Sequence, residues 1–137
     1  MAAPALPRLE TRRGEFKSFR WWLRLGILAN ALVGLALLLA PETAMDRLAL
    51  PAASEVWVRY VGLFILVVTV SYIPAALYTP AFRFLGSYAI FVRVVFVVFF
   101  LIAGGGFLWF ALFDGVFAVA LSRSYGAGLR EDLDLRP

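Results

Sequence analysis

Four polar residues stand inside long apolar stretches of this sequence, and they are the residues best placed to do chemistry. They are Asn30, Arg59, Arg93 and Asp114. A charged side chain in a bilayer core costs at least about 2.5 kcal/mol, so it faces protein or water and usually has a partner. One carboxylate with two guanidinium groups suits an anionic or carbonyl-bearing ligand, such as a quinone head or a lipid phosphate. The alternative is an internal salt bridge that fixes helix register.

Arg93 and Asp114 are expected to form an ion pair. They lie in an apolar stretch, 82–122, that is broken only by a glycine triplet centred on Gly105. A bilayer core needs about 20 apolar residues per crossing, so this stretch predicts two membrane helices folded back on each other. Arg93 is 12 residues before Gly105 and Asp114 is 9 after it. Their depths then differ by three residues, roughly 4.5 Å, which an arginine side chain can span.

The residue types that the sequence lacks exclude several kinds of site. It has no cysteine and no histidine, which removes disulfides, thiolate metal sites, iron–sulfur ligation and the usual axial ligand of a haem. A hydrolase or transferase site is hard to build without histidine or a pair of acids. We therefore predict no catalytic residue, no metal site and no cofactor held by the chain's own ligands. A proton relay is disfavoured because arginine does not titrate.

The elements that must position the four polar residues are membrane helices. Of the 137 residues, 63% are hydrophobic and only 16% are charged, against about 25% charged in soluble domains. The sequence predicts an all-α integral membrane protein, an antiparallel four-helix bundle, in one domain over 22–123. The predicted helices are 22–40, 55–78, 82–103 and 107–122. The first apolar run is long and has no small-residue cleavage pattern, so we expect it to be retained.

Asn30 shares one face of the first predicted helix with Gly26 and Gly34, because the three recur every four residues. Small residues at this spacing allow close helix contact, and an asparagine can hydrogen-bond across it. Plain packing is the favoured interpretation, and a ligand contact by Asn30 is the alternative.

The second predicted helix carries Arg59 near its outer end, where snorkelling to the surface is the alternative to a place in the polar cluster. Tyr72 falls roughly 140° from Arg59 at 100° per residue. We therefore expect Tyr72 to face another neighbour and to be a peripheral candidate only. Pro74 cannot donate a hydrogen bond to Val70 and should kink the inner end of the helix.

The two ends of the chain are expected to lie outside the bilayer core. Residues 1–21 form a basic amphipathic segment and 124–137 a short polar tail that frays. Basic residues beside tryptophans favour the headgroup zone. The predicted interfacial anchors are Arg20, Trp21, Trp22 and Arg24.

Orientation follows from the distribution of basic residues. Ten of the 13 Lys and Arg residues share one predicted side: six before residue 25, Arg83, and three after residue 122. The positive-inside rule then places both termini in the cytoplasm, in a multi-pass protein of a bacterial inner membrane. The net charge of +4 fits an anionic leaflet rather than nucleic acid.

The order of these residues resembles the DoxX-like group of small four-helix membrane proteins over about residues 22–123. The residues that carry the resemblance are Ala40-Pro41-Glu42, Leu48, Arg59-Tyr60-Val61-Gly62, Tyr72, Ala75-Ala76, Arg93 and Asp114. The resemblance implies an antiparallel four-helix bundle in which Arg59, Arg93 and Asp114 are the shared polar positions. Named members are associated with quinone-linked sulfur oxidation as membrane subunits. Sulfur chemistry is not carried over, because this chain has no cysteine.

Three functions remain as expectations. The preferred one is a non-catalytic accessory or assembly subunit of a larger respiratory or photosynthetic membrane complex, with other membrane subunits and the lipid bilayer as its partners. Thirteen phenylalanines, many of them on the last two helices, exceed what one small bundle core can hide. The second is a quinone- or lipid-binding membrane subunit of an oxidoreductase. The third is a small-solute transporter that acts as an oligomer.

Overall fold

Helices make up all the regular structure in residues 16–134, the part of the chain that the computed structural model describes. They are α1 (Lys17–Leu39), α2 (Pro41–Arg47), α3 (Glu55–Ser71), α4 (Ile73–Leu77), α5 (Arg83–Ala103) and α6 (Leu108–Asp134), with a 3-10 turn at Gly105–Phe107. Three segments are long and apolar enough to cross a membrane: Lys17–Leu39, Arg83–Ala103 and Gly105–Glu131. The prediction of an all-α fold with helices long and apolar enough to cross a membrane is confirmed for these residues.

Helices α1 and α3 run antiparallel and cross at two glycines. A Cβ on Gly62 would lie 2.7 Å from the Gly34 carbonyl oxygen and 2.8 Å from the Leu38 nitrogen. Only glycine at position 62 lets the two backbones approach this closely. The predicted close contact at Gly34 is therefore present. Pro41 stands at the start of α2, where its missing N–H costs nothing.

The apolar segment after α3 is interrupted at Tyr72. The Tyr72 N–H donates to the Thr69 carbonyl at 3.1 Å, a tighter turn than an α-helix has. Pro74 stands in the first turn of α4 and has no N–H to give to Val70. The kink predicted at Pro74 is thus a helix break, and it divides the predicted helix 55–78 into α3 and α4.

Helices α5 and α6 form the second hairpin, closed by the glycine turn that the sequence predicts. Gly104 and Gly105 have φ angles of 66° and 56°, in the region that glycine adopts without strain. A Cβ on Gly106 would clash with the carbonyl oxygen of Ala49. Glycine is therefore needed at position 106, because the turn packs on the segment between α2 and α3.

Helix α6 is longer than the sequence predicts, and the predicted end at residue 122 is wrong. The helix continues to Asp134 because its last turns are packed: Tyr125 contacts the rings of Phe16 and Phe19, with centroids 5.7 and 5.1 Å away. Leu129 packs against the same core. The predicted polar tail is therefore helical through residue 134.

Helix α1 also begins earlier than its predicted start at residue 22. Residues 17–21, assigned from sequence to a separate amphipathic segment, are its first turns, because Phe16 and Phe19 are fully buried against α6. The rest of that segment, residues 1–15, lies outside the described residues, as do residues 135–137.

Two buried clusters lie at opposite ends of the molecule. The larger joins all the long helices and contains Phe16, Phe19, Leu23, Tyr72, Ala75, Ala76, Ala89 and Leu121. The smaller contains Leu37, Ala44 and Val58. Gly26 lies one turn after Leu23 on α1 and contacts Arg93. The buried charge of Arg93 is therefore next to the larger cluster and nearer to the middle of α1.

Candidate functional site

The predicted ion pair is present between α5 and α6. Arg93 Nη1 donates to Asp114 Oδ1. Arg93 is 3% exposed and Asp114 is partly buried. The pair joins residues 21 positions apart in sequence, so it ties the two arms of the second hairpin together near their middle. An arginine buried this deeply needs its counter-charge, since an isolated buried ion is far more costly than a paired one.

Aromatic rings and a glycine enclose the guanidinium group. Its carbon lies 4.7 Å from the ring centre of Phe117 and 5.9 Å from that of Phe113, within the range of cation–π attraction. A Cβ on Gly26 would lie 2.5 Å from Arg93 Nη2. Gly26 therefore makes room for the arginine, while the rings separate the charge from lipid.

Tyr72 belongs to this polar centre, although the sequence assigned it only a peripheral place. It is 2% exposed and belongs to the larger buried cluster, which borders Arg93. Ala89 packs in the same cluster as Tyr72 and lies one turn before Arg93 on α5. The helix is interrupted at Tyr72, just before Pro74. Helical periodicity in the sequence alone therefore does not reveal the direction of the Tyr72 side chain.

Two buried donors in this centre have no partner within residues 16–134: the Tyr72 hydroxyl and Arg93 Nε. Each unsatisfied buried polar group costs about 1–3 kcal/mol. Such groups are satisfied in folded proteins by ordered water or by a ligand oxygen. Arg93 Nε only donates and the Tyr72 hydroxyl both donates and accepts, so an acceptor oxygen could satisfy either atom.

Arg59 lies elsewhere, which corrects the predicted four-residue cluster. Its Nη2 and Nε donate to Glu55 Oε1 at 2.6 and 3.0 Å, and its Nη1 donates to the Leu38 carbonyl at 3.0 Å. Leu38 is 12 residues beyond Gly26 on α1, roughly 18 Å along the helix. Arg59 therefore caps the carboxyl end of α1, where terminal carbonyls lack helical donors and attract positive charge.

Asn30 is partly buried on α1, one turn beyond Gly26. Within the described part of the chain, its side chain makes no hydrogen bond to the Arg93–Asp114 pair. The structure thus pairs Arg93 with Asp114 beside the buried cluster that contains Tyr72, and Asn30 lies one turn from Gly26, which contacts Arg93.

The predicted interfacial anchors occupy the first two turns of α1. Trp21 is exposed and packs edge-on against Trp22, which in turn packs on Phe117 with centroids 5.9 Å apart. Arg24 Nε donates to the Ala76 carbonyl at 3.3 Å. That carbonyl lies in the last turn of α4, where carbonyl groups lack helical donors. Arg20 is partly buried in the same turns.

Two open grooves run along α6. We name the first the α5/α6 groove; it is lined by Leu101, Leu108, Ala111, Leu112, Gly115, Val116 and Val119. The second, the α1/α6 groove, is lined by Ser18, Trp22, Val116, Val119, Ala120, Arg123 and Ser124. Val116 and Val119 form the ridge between them. The first groove is lined only by residues without polar side chains, whereas the second groove has a polar end.

No three acidic side chains of residues 16–134 lie close enough together to hold a metal ion. A scan of protein families and searches of curated proteins and of solved structures found no match to this chain.

Proposed function

We propose that this protein is a non-catalytic accessory subunit of a larger membrane complex, of the respiratory or photosynthetic kind in a bacterial inner membrane. In this proposal the chain crosses the bilayer four times as an antiparallel four-helix bundle, with α3 and α4 forming the second crossing and both termini in the cytoplasm. The observation that carries it is the α5/α6 groove, an apolar groove with small residues among its lining side chains.

The charges of Arg93 and Asp114 are turned inward, which supports a structural role. Asp114 is matched by Arg93 in a buried pair, and Arg59 is matched by Glu55 in an exposed one. A pair of neutralised charges closed in by aromatic rings fixes two helices against each other. It offers no nucleophile or titrating base to an open pocket.

The α5/α6 groove fits a partner helix. Ala111 and Gly115 are one turn apart on α6 and line the groove, and small residues at this spacing let helix backbones approach closely in lipid. A Cβ on Gly115 would lie 3.9 Å from Val97 Cγ2, an ordinary contact. Position 115 therefore accepts a Cβ without disturbing the α5–α6 hairpin, so the hairpin itself does not require glycine there.

Purification in a mild detergent tests this proposal. We expect the full-length protein to migrate as part of a larger assembly, and Gly115→Leu, which fills the groove, to release it as a folded free subunit. Gly126→Leu is the matched control, because a Cβ on Gly126 meets nothing within 4 Å and Gly126 is not among the groove-lining residues. Recovery of wild-type protein only as a free monomer, or an assembly that survives Gly115→Leu, contradicts the proposal.

A second function, binding of a quinone or lipid head, is favoured by one observation. The Tyr72 hydroxyl and Arg93 Nε are buried donors without acceptors in residues 16–134, and a carbonyl or phosphate oxygen would satisfy them. The sequence layout resembles that of DoxX-like proteins, whose named members are associated with quinone-linked sulfur oxidation, and this resemblance favours the same function. Under this proposal the protein is the membrane arm of an oxidoreductase.

Tyr72→Phe separates the two functions. It removes one donor and keeps the buried ring, so it disturbs the fold far less than loss of Arg93. If a ligand binds there, organic extraction of purified wild-type protein yields a stoichiometric quinone or lipid, and the Tyr72→Phe protein loses most of it. Equal extracts from both proteins eliminate the ligand site and leave water as the partner of these donors.

A further inference from the structure

We propose that the α1/α6 groove binds one anionic phospholipid, with its phosphate at Arg123 and an acyl chain along Val116 and Val119. The groove shares Val116 and Val119 with the α5/α6 groove, but its polar end, formed by Ser18, Arg123 and Ser124, lies outside that groove. The proposal rests on the groove's division into a cationic, hydroxyl-bearing end and an apolar end.

The polar end of the groove lies where a headgroup would lie. Arg123 is the first charged residue after the apolar part of α6, and Ser18 stands opposite it in the first turn of α1. Both side chains are exposed. A guanidinium group binds a phosphate through two parallel N–H bonds, and the Ser18 hydroxyl adds a donor. Basic pockets between membrane helices recognise phospholipid headgroups in this way.

The apolar end of the groove lies deeper along the same helix. Val116 is seven residues before Arg123, roughly 10 Å at the rise of an α-helix. Trp22 forms the opposite wall and is held there by its edge-on contact with Phe117. A fixed indole beside an arginine is the pairing that membrane interfaces favour. One occupant must therefore have an anionic group and an apolar chain joined end to end, which describes a phospholipid and excludes a free anion.

Charge complementarity selects an anionic lipid over a zwitterionic one. Arg123 is the cation among the residues that line the groove, and Lys17, exposed next to Ser18 in sequence, adds positive charge to the same turn of α1. A basic residue near a lipid surface contributes about 1 kcal/mol toward an anionic lipid, a factor of about five in affinity. A zwitterionic headgroup of zero net charge does not gain this contribution.

Native mass spectrometry of the full-length protein tests the proposal, with dioleoyl phosphatidylglycerol or dioleoyl phosphatidylcholine added to delipidated samples. We expect one phosphatidylglycerol to bind wild type at least about fivefold more tightly than phosphatidylcholine. The Arg123→Gln protein should lose this fivefold preference for phosphatidylglycerol. Arg130→Gln is the matched control: it removes an exposed arginine from the same face of α6, two turns beyond the groove, and should keep it. Thermal unfolding confirms that each variant is folded.

A second variant tests the acyl end separately. Val119→Trp fills the apolar part of the groove and should lower the affinity for phosphatidylglycerol while leaving Arg123 in place. Added glycerol phosphate, which has the headgroup charge without chains, should compete only weakly. Equal affinity for the two lipids, unchanged binding by Arg123→Gln, or full displacement by glycerol phosphate overturns the proposal. So does a copurified protein that occupies the groove in place of lipid.

Discussion

At the scale of single residues, the Arg93–Asp114 pair decides how the second hairpin closes. Each charge alone is costly in lipid, and each is placed where the other neutralises it. Phe117 covers the guanidinium group from one side, and Gly26 leaves space for it on the other. The pair therefore specifies one register between α5 and α6, because a shift by one turn would separate the charges by roughly 5 Å.

Asp114→Asn tests the pair. The amide keeps an oxygen for the hydrogen bond but leaves the Arg93 charge buried without a counter-charge, so we expect stability to fall by about 3 kcal/mol. The measurement is SDS-induced unfolding in mixed micelles, followed by helical circular dichroism. Glu55→Gln is the control, since it breaks an exposed pair, with side chains 46% and 53% exposed, and should change stability by less than about 1 kcal/mol.

Replacing both partners separates charge from packing. Arg93→Leu with Asp114→Leu removes the buried charges together and should recover most of the stability that Asp114→Asn loses, because hydrophobic substitutes for buried pairs are often neutral. If the single variant Asp114→Asn is as stable as wild type, the ion pair does not stabilise the α5–α6 hairpin.

Residue-scale prediction from the sequence succeeded where depth alone decided the outcome. Counting from the glycine turn was enough to pair Arg93 with Asp114. It failed for Arg59, whose partners are the nearby Glu55 and a carbonyl at the end of another helix, because apolar periodicity does not report where a neighbouring helix ends. The sequence prediction gave Tyr72 only a peripheral place because it counted 100° per residue along one continuous helix. The helix is interrupted at Tyr72, before Pro74, so that count no longer applies there.

At the scale of elements, the crossing of α1 and α3 depends on Gly62. Both of its nearest contacts are backbone atoms, the Gly34 oxygen and the Leu38 nitrogen, which cannot move aside without shifting a helix. The same stretch of α1 receives Arg59 at the Leu38 carbonyl. The first hairpin is therefore held by backbone proximity and by one capping arginine.

Gly62→Ala should force α1 and α3 apart and lower stability by about 1–3 kcal/mol, the usual cost of overpacking. The same SDS titration measures it. Gly126→Ala adds an identical methyl group to an open position and should be neutral or stabilising by up to about 1 kcal/mol, because alanine is the better helix former. If the two variants behave alike, the close crossing is not required.

The extension of α6 beyond residue 122 is a packed element, although its sequence is polar. Tyr125 accepts a hydrogen bond from Ser87 Oγ at 3.2 Å and donates to the Arg83 carbonyl at 3.3 Å. Its ring covers Phe16 and Phe19. The composition of this region predicts a tail, because charged residues surround its few apolar ones. The signal of a buried face is the i, i+4 spacing of Tyr125 and Leu129.

Tyr125→Ala should lower the thermal midpoint, because it uncovers the rings of Phe16 and Phe19; the loss corresponds to at most about 3 kcal/mol of apolar burial. Tyr125→Phe keeps the ring and loses the two hydroxyl bonds, so it should cost about 1 kcal/mol. A midpoint that does not change in Tyr125→Ala would restore the interpretation of this region as a tail.

At the scale of the whole molecule, the two hairpins are joined at both ends. Gly106 packs on Ala49 at one end, and the aromatic contacts of Tyr125 join α6 to α1 at the other. The all-α fold could be predicted from the length of the apolar segments, and the turns from the positions of glycine and proline. The way the hairpins meet could not be predicted, because it depends on contacts between residues far apart in sequence.

Cysteine labelling tests the proposed topology, since the natural sequence has no cysteine. Thr43→Cys on α2 and Leu133→Cys on α6 are both at exposed positions. With four crossings and both termini in the cytoplasm, a membrane-impermeant maleimide labels Thr43→Cys in intact cells and Leu133→Cys only after the membrane is opened. Labelling of both from the same side contradicts this topology.

The separation of Arg93 and Asp114 by 21 residues has a consequence for biogenesis. At about 5–20 residues per second, a ribosome needs about 1–4 s after Arg93 to produce the neutralising aspartate. During that delay the nascent α5 carries an unmatched charge, so we expect it to linger in the translocation channel and to partition into lipid together with α6. The force on the nascent chain can be measured with a translational arrest peptide fused behind chains of increasing length. We expect one peak of force for α5 and α6 together, whereas two separate peaks would mean that each helix enters the lipid alone.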